Sequence, residues 1–132
     1  MLSKYKAKRT LYRGVFYASK AEALRANQLD LIVRAGKEPR MGGQTPAVLF
    51  WVPQPKFRLG CPENVYVADF LVIGPDRAWA EDVKGHETPT FKKNVRLWRV
   101  YGPCELHVIC KKASDSYVVE GGIPAAVRRE AD

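Results

Sequence analysis

A chain of 132 residues, 46% of them apolar, is enough for one domain with a core that needs no staples. A formal net charge of +8 favours a polyanionic partner. No run reaches the ~20 apolar residues of a membrane span. The basic N-terminus lacks an apolar signal core, and Cys61, Cys104 and Cys110 make neither a Cys-x-x-Cys pair nor a disulfide framework, so a reducing, cytoplasmic setting is expected.

Residues 1–13 carry Lys4, Lys6, Lys8, Arg9 and Arg13 with Tyr5 and Tyr12 between them. They read as a basic arm, either in contact with phosphates or a solvated tail. Residues 14–17 are a short extended piece. Ser19 then caps a helix, and Glu22 completes a capping box. Leu24, Leu29, Ile32 and Val33 supply its apolar face to about Arg34, and Gly36 ends it. The positively polarised start of that helix is expected to lower the Glu22 pKa and keep the carboxylate ionised. Residues 37–47, rich in glycine and proline, predict a loop. Residues 48–52 predict a buried or sheet-edge strand, with a share in a dimer interface as the second reading. Residues 54–59 follow as the first strand of the core sheet, with Pro55 marking an edge or a bulge. Gln54 and Lys56 would share a face, turned to a phosphate or to solvent.

Residues 66–73 have the β-branched and aromatic content of a strand, Gly74-Pro75-Asp76 is a turn, and residues 78–84 return as a second strand ended by Gly85. Alternation puts Asp82 and Lys84 on one side, about 6–7 Å apart along the chain, and Glu81 on the other unless a bulge intervenes. If the hairpin pairs Asp69 with Asp82, two carboxylates and a lysine converge. Two carboxylates suit a hard divalent cation, and a lysine can orient an attacking water and stabilise developing charge. That combination suits phosphodiester hydrolysis. Thr88 and Pro89 start a second helix that runs to about Tyr101 and stops at Gly102-Pro103. Phe91, Val95 and Trp98 form its apolar stripe, while Lys92, Lys93, Arg96 and Arg99 make it basic. His86 reads as a loop residue that could reach a phosphate. His107 reads as structural, in a last strand over 105–110. Neither histidine has a cysteine at zinc spacing, and no phosphate-binding glycine loop exists, so neither zinc nor a nucleotide cofactor is expected.

Asp69 with Asp82-Val83-Lys84 resembles the PD-(D/E)XK nuclease signature, with Ala68 where the signature has proline. The order of blocks is Tyr5-Lys6-Ala7-Lys8, Ser19-Lys20-Ala21-Glu22-Ala23, Gln54-Pro55-Lys56-Phe57, Ala68-Asp69-Phe70 and Glu81-Asp82-Val83-Lys84-Gly85. Over residues 4–112 it resembles the small phage and archaeal-type Holliday-junction resolvases. The resemblance implies an α/β fold with a mixed central sheet flanked by helices, in the order helix–strand–strand–strand–helix–strand (an αβββαβ core). It implies a basic arm at 1–13, a nuclease core at 14–112 and a tail at 113–132. Asp69 and Asp82 would hold Mg²⁺, with Mn²⁺ as a substitute, helped by the Val83 carbonyl oxygen. Glu22 is either a further catalytic or metal-site carboxylate or simply a helix cap. Lys84 would act on the water. DNA contacts would come from Lys4, Lys6, Lys8, Arg9, Arg13, Gln54, Lys56, His86, Lys92, Lys93 and Arg96. The substrate would be a four-way DNA junction, cut by a homodimer with two active sites, and the protein would act in the cytoplasm of a bacterial or archaeal host, either host- or phage-encoded. Other readings are a nicking, repair or transposon-end endonuclease on the same fold, a non-catalytic DNA-binding module, and a basic RNA-associated protein.

Overall fold

The computed structural model describes residues 9–37 and 47–123, so Lys4, Lys6, Lys8 and nearly all of the 37–47 loop lie outside the described residues. The described residues open with a hairpin of β1 (Thr10–Tyr12) and β2 (Val15–Tyr17), so residues 10–12 of the stretch read as an arm form a strand. Arg13 and Gly14, at the tip, both have positive φ (47° and 80°), the backbone that a two-residue hairpin turn requires. Helix α1 (Lys20–Gly36) follows, and the Ser19 hydroxyl accepts from the Glu22 amide at 3.2 Å. Its buried residues are Ala23, Ala26 and Leu29, while Leu24 is exposed, contrary to expectation. Small side chains let the helix lie close to the sheet. The hairpin is tied to α1 and to the sheet edge through Asp30, which accepts from the Tyr12 hydroxyl and, at 2.9 Å, from the Trp51 indole N–H.

The next strands are β3 (Phe50–Pro53), β4 (Lys56–Arg58), β5 (Val65–Val67), β6 (Phe70–Ile73) and β7 (Ala78–Lys84). Helix α2 (Pro89–Tyr101), β8 (Glu105–Cys110) and β9 (Tyr117–Val119) complete the described fold. The main sheet has five strands in the order β3-β6-β7-β8-β9; only β7 and β8 are parallel, and α2 makes the crossover between them. Among the described residues the fold is therefore α/β, with a mixed sheet and two long helices. Two expectations are corrected. The first strand of the core sheet is Phe50–Pro53, not residues 54–59, because Lys56–Arg58 pairs only with Val65–Val67. The sheet also continues beyond residue 112, where β9 adds to β8 after a 3₁₀ turn at Ala113–Asp115.

The departure at residues 54–59 has a local cause. β3 pairs with β6 and β4 with β5 in a single unbroken register (Pro53 opposite Phe70, Lys56 opposite Val67), so the four segments form one antiparallel ribbon. It is interrupted where Gln54 (φ 54°) and Pro55 face Asp69 and Ala68. Proline offers no N–H to the ladder, and a left-handed residue turns the strand aside. Past the break, the ribbon leaves the main sheet and covers the α2 side.

Each face of the sheet carries its own core. On one side Tyr17, Ala23, Ala26, Leu29, Val48, Phe70 and Val72 pack together under α1. On the other, Phe91, Val95 and Trp98 of α2 meet Leu59, Tyr66, Ala80, Leu106, Val108 and Val119. Burial of each Val, Leu or Phe among them stabilises the fold by roughly 1.5–3 kcal/mol. Trp98 is fully buried, its indole N–H donates to the Cys104 carbonyl at 2.7 Å, and a Cβ at Gly102 would lie 2.6 Å from its ring. Thr88 and Pro89 start α2 as expected, the hydroxyl accepting from the Phe91 amide at 3.1 Å. Among the described residues, no helix is long and apolar enough to cross a membrane.

Alternation along β7 sends Glu81 toward α1. There the carboxylate accepts from Arg25 at 2.7 and 2.8 Å and from the Trp79 indole at 2.9 Å. Glu81 is 1% exposed and its bidentate partner about one-quarter exposed. Arg25→Ala should therefore cost ~2–3 kcal/mol in urea unfolding, near the low end for breaking a buried pair because the arginine is partly solvated. Arg25→Met combined with Glu81→Leu should recover most of that loss. An additive loss in the double variant would show that the pair does not act as a unit.

Candidate active site

The β6–β7 register places Phe70 opposite Glu81, so Asp69 comes beside Asp82 just before β6 begins. The backbone bonds agree with that position. The Asp69 amide donates to the Glu81 carbonyl at 3.0 Å, and the Val83 amide donates to Asp69 Oδ2 at 2.6 Å. Asp82, buried at 2% exposure, points to the α2 side. Its Oδ2 accepts from the Tyr66 hydroxyl, and its Oδ1 lies 3.0 Å from Lys84 Nζ but takes no aligned hydrogen bond. The Lys84 ammonium also sits over the Phe91 ring, 4.4 Å from its centroid. The lysine is thus held from two sides, by a carboxylate and by an aromatic face. Glu81 is bound to Arg25 on the opposite face, which resolves the choice between adjacent acids in favour of Asp82 as the partner of Asp69 and Lys84.

Glu22 lies close enough to feel both groups. Its pKa is raised, first by burial and also by the charge of Asp82; the Ala18 amide, which donates to Oε2 at 3.1 Å, and Lys84 act in the opposite sense. The expected lowering at the helix start is therefore overturned, because desolvation outweighs the polarised first turn. The glutamate caps the chain at Ala18 rather than at Ser19. Of the carboxyls Asp69 is perturbed most clearly: burial, then the charges of Asp82 and Glu22, push it up to about 9, against the opposing bond from Val83. Burial and the Asp82 carboxylate raise the Tyr66 hydroxyl as well, which keeps it a donor.

Glu22 and Lys84 border a cleft of about 550 Å³ between the starts of α1 and α2 and the end of β7, lined also by Ser19, Val83, His86 and Thr88 among others. His86 is exposed on its rim. Other proposed contacts fall elsewhere. Gln54 is not in a strand; its side chain donates to the Phe16 carbonyl at 3.0 Å, and its amide donates to the Asp69 carbonyl at 2.8 Å. Lys56 is exposed on the ribbon. Arg9 stacks on Phe16 at 4.2 Å, and Arg13 pairs loosely with Asp30 at 3.5 Å. Lys92, Lys93 and Arg96 are exposed along α2. His107 stacks on Trp79 and contacts Glu105, a structural place as expected.

Two contributors escaped the sequence reading. Tyr66 anchors Asp82 and Arg25 holds Glu81. Arg25 lies three residues after Glu22, a spacing that puts both on one side of a helix, and this was the available signal. Tyr66 gave none, because its partner lies across a break in the sheet.

The donor set is all oxygen. Among the described residues, no group of three or more His, Cys, Asp or Glu is arranged as a metal cage, so the candidate centre is a two-aspartate one. That suits magnesium, which is commonly held by one or two carboxylates and completes its shell with water and phosphate oxygens. Each aspartate has one oxygen anchored by the protein, Asp69 by Val83 and Asp82 by Tyr66, and Asp82 Oδ1 is buried without a hydrogen bond. Crowded carboxylates that otherwise retain a proton are what a divalent cation would neutralise.

No curated protein and no solved structure matches the chain. One family model, described as "Protein of unknown function (DUF1064)", matches residues 2–116. With that match running over most of its length, the chain belongs to the DUF1064 family.

Proposed function

We propose that this protein is a metal-dependent endodeoxyribonuclease of the PD-(D/E)XK type that cuts branched DNA, four-way junctions above all, as a homodimer. The observation that carries the reading is the facing of Asp69 and Asp82 across adjacent strands with Lys84 3.0 Å from the second carboxylate. Order along the chain adds support, since an acidic helix start, an Asp at a strand entry and an Asp-x-Lys strand follow one another as in the junction resolvases. Junction choice and the dimer rest on that resemblance and on the need for two symmetric cuts.

Asp69 and Asp82, with the Val83 carbonyl oxygen, would hold Mg²⁺ or Mn²⁺, while Glu22 caps the chain at Ala18 and adds its charge from nearby. When bound, the cation supplies Lewis-acid polarisation of the scissile phosphate. The protein's own groups do the rest. Tyr66 and the Val83 amide fix the two carboxylates, so their orientation costs no reorganisation during the reaction. Lys84 orients the attacking water and stabilises negative charge on the phosphate oxygens. Water adds across one P–O bond: its oxygen joins phosphorus, the bridging oxygen leaves with the electron pair, and a proton goes to that leaving oxygen.

The direct test compares an immobile four-way junction with a linear duplex of equal length, in magnesium and in chelator. Paired symmetric nicks are expected in the junction only, and only with magnesium. Asp82→Asn should abolish cutting while junction affinity stays the same or rises, because a negative charge is removed. Normal cutting by that variant would displace the site. Cutting of both substrates would keep the nuclease and remove the junction preference; binding without cutting under any divalent metal would leave a DNA-binding module. In single-turnover assays, Lys84→Ala should slow cleavage by roughly two to four orders of magnitude. Near-normal rates would give Lys84 a structural role.

A pH experiment reads the carboxylates separately. An unfolded aspartate titrates near 4, whereas the folded Asp69 carboxyl sits at about 9. Its contribution to stability is thus complete below about pH 4, declines as pH rises, and is lost above about 9. Melting curves in chelator should show wild-type protein losing stability between about pH 5 and 9 relative to Asp69→Asn, and magnesium should reduce the difference for wild type only. Parallel curves in chelator would mean that Asp69 is ionised at neutral pH.

A further inference from the structure

A second cleft, of about 460 Å³, opens on the other side of the Lys84-Gly85-His86 turn. Four lysines line it, Lys84, Lys92, Lys111 and Lys112, against Glu87 and Asp115. Its place follows from the sheet. Lys84 is opposite Cys110 in the parallel β7–β8 pair, so Lys111 and Lys112 leave the sheet beside the end of the Asp82-Val83-Lys84 strand. In open α/β sheets, ligands bind at the carboxyl ends of parallel strands. The loop that carries the two lysines is shaped, not loose: the Cys110 amide donates to Ser116 Oγ at 2.9 Å, and the Asp115 amide donates back to the Lys112 carbonyl at 3.0 Å. One of the two acids is also engaged, since Glu87 accepts from the Tyr117 hydroxyl at 2.8 Å. Four lysines against two acids leave the mouth net positive.

We infer that this cleft is a DNA phosphate subsite, in which Lys92, Lys111 and Lys112 hold a backbone phosphate adjoining the scissile one on the same strand. The inference rests on the nuclease reading for the meaning of "scissile", but its binding term stands by itself. Lys84 belongs to both clefts, so a strand whose phosphate lies against Lys84 in the first continues into the second. Lysine is suited to such a place as a point charge with a flexible stem, which positions the backbone and reads no sequence.

The test is equilibrium binding of a fluorescent linear duplex in chelator, titrated over a range of salt, with cleavage in magnesium assayed separately. Lys111 and Lys112 are exposed, so Lys111→Gln with Lys112→Gln should fold and melt as wild type does. The double variant should weaken binding about tenfold and flatten the salt slope by about one for each phosphate that is no longer neutralised. Asp115→Asn, which removes a negative charge from the same cleft, should tighten binding. Arg34→Gln with Lys37→Gln changes charge equally at the far end of α1 and should leave affinity within about twofold. Unchanged affinity and slope in the Lys111/Lys112 variant, an equal loss in the Arg34/Lys37 control, or no duplex binding by wild type would each overturn the subsite. If binding responds as expected but no substrate is cut, the subsite stands and the hydrolase reading falls; if cutting occurs and the lysine variant binds normally, the reverse holds.

Discussion

The ion pair between Arg25 and Glu81 sets the geometry on which the site depends. A fully desolvated glutamate in mid-strand is costly unless its charge is met, and here it is met by a bidentate guanidinium and an indole N–H. The pair permits little sliding of α1 over β7, because a shift of one helical turn would leave Glu81 buried with only Trp79. Glu22 lies on the same side of α1, three residues before Arg25, and is brought toward the Asp82 and Lys84 charges by the same clamp. Since adjacent residues of a strand face opposite ways, fixing Glu81 under α1 also fixes Asp82 and Lys84 on the α2 side. One interaction thus sets both the helix position and the choice between two neighbouring acids.

The break in the ribbon does the complementary work for Asp69. At Asp69 the backbone still bonds across to Gln54 on one side and Glu81 on the other, but the left-handed Gln54 and Pro55 kink the opposing segment there, and the Asp69 side chain reaches the Val83 amide. The left-handed Gln54 is a strained conformation for a residue with a Cβ, held here by its amide bond to Asp69 and its side-chain bond to Phe16. The ribbon beyond the break brings Tyr66 under Asp82, so a single irregularity admits one carboxylate and anchors the other.

The local part of this organisation was legible in the sequence. The Ser19 cap, the Thr88-Pro89 start, the Phe91/Val95/Trp98 stripe and the Asp69–Asp82 pairing follow from caps, periodicity and a hairpin turn, all of which act over a few residues. What was not legible depends on partners far apart in the chain. Residues 54–59 look like a core strand because their composition is that of one; only the Pro55 break, together with the competing pairing of β3, moves them out. Tyr117–Val119 are too short to announce a strand and become one because β8 offers an open edge. Leu24 satisfies the helical period but faces solvent, since alanines at 23 and 26 suit the close approach of α1. The sign of the Glu22 shift was missed for a related reason: the helix start is visible in sequence, whereas the depth of burial and the nearness of Asp82 are not.

The site is a compromise between folding and charge. Three acids are gathered where their mutual repulsion and burial oppose ionisation, and Asp69 answers by holding its proton to about pH 9. If stability alone mattered, a neutral amide at Asp69 would accept the Val83 N–H equally well without that repulsion. The carboxyl is intelligible if the cluster is completed by a positive group in use, and Lys84 alone does not suffice, because it already faces Asp82 while Asp69 and Glu22 remain shifted upward. On the proposed reading Asp69 and Asp82 would hold a divalent cation that would supply the missing charge, and Asp69 would be ionised in the loaded state. Loading would then be easier at higher pH, and the unloaded protein would gain stability at lower pH, so metal affinity and metal-free stability oppose one another through the same carboxyl.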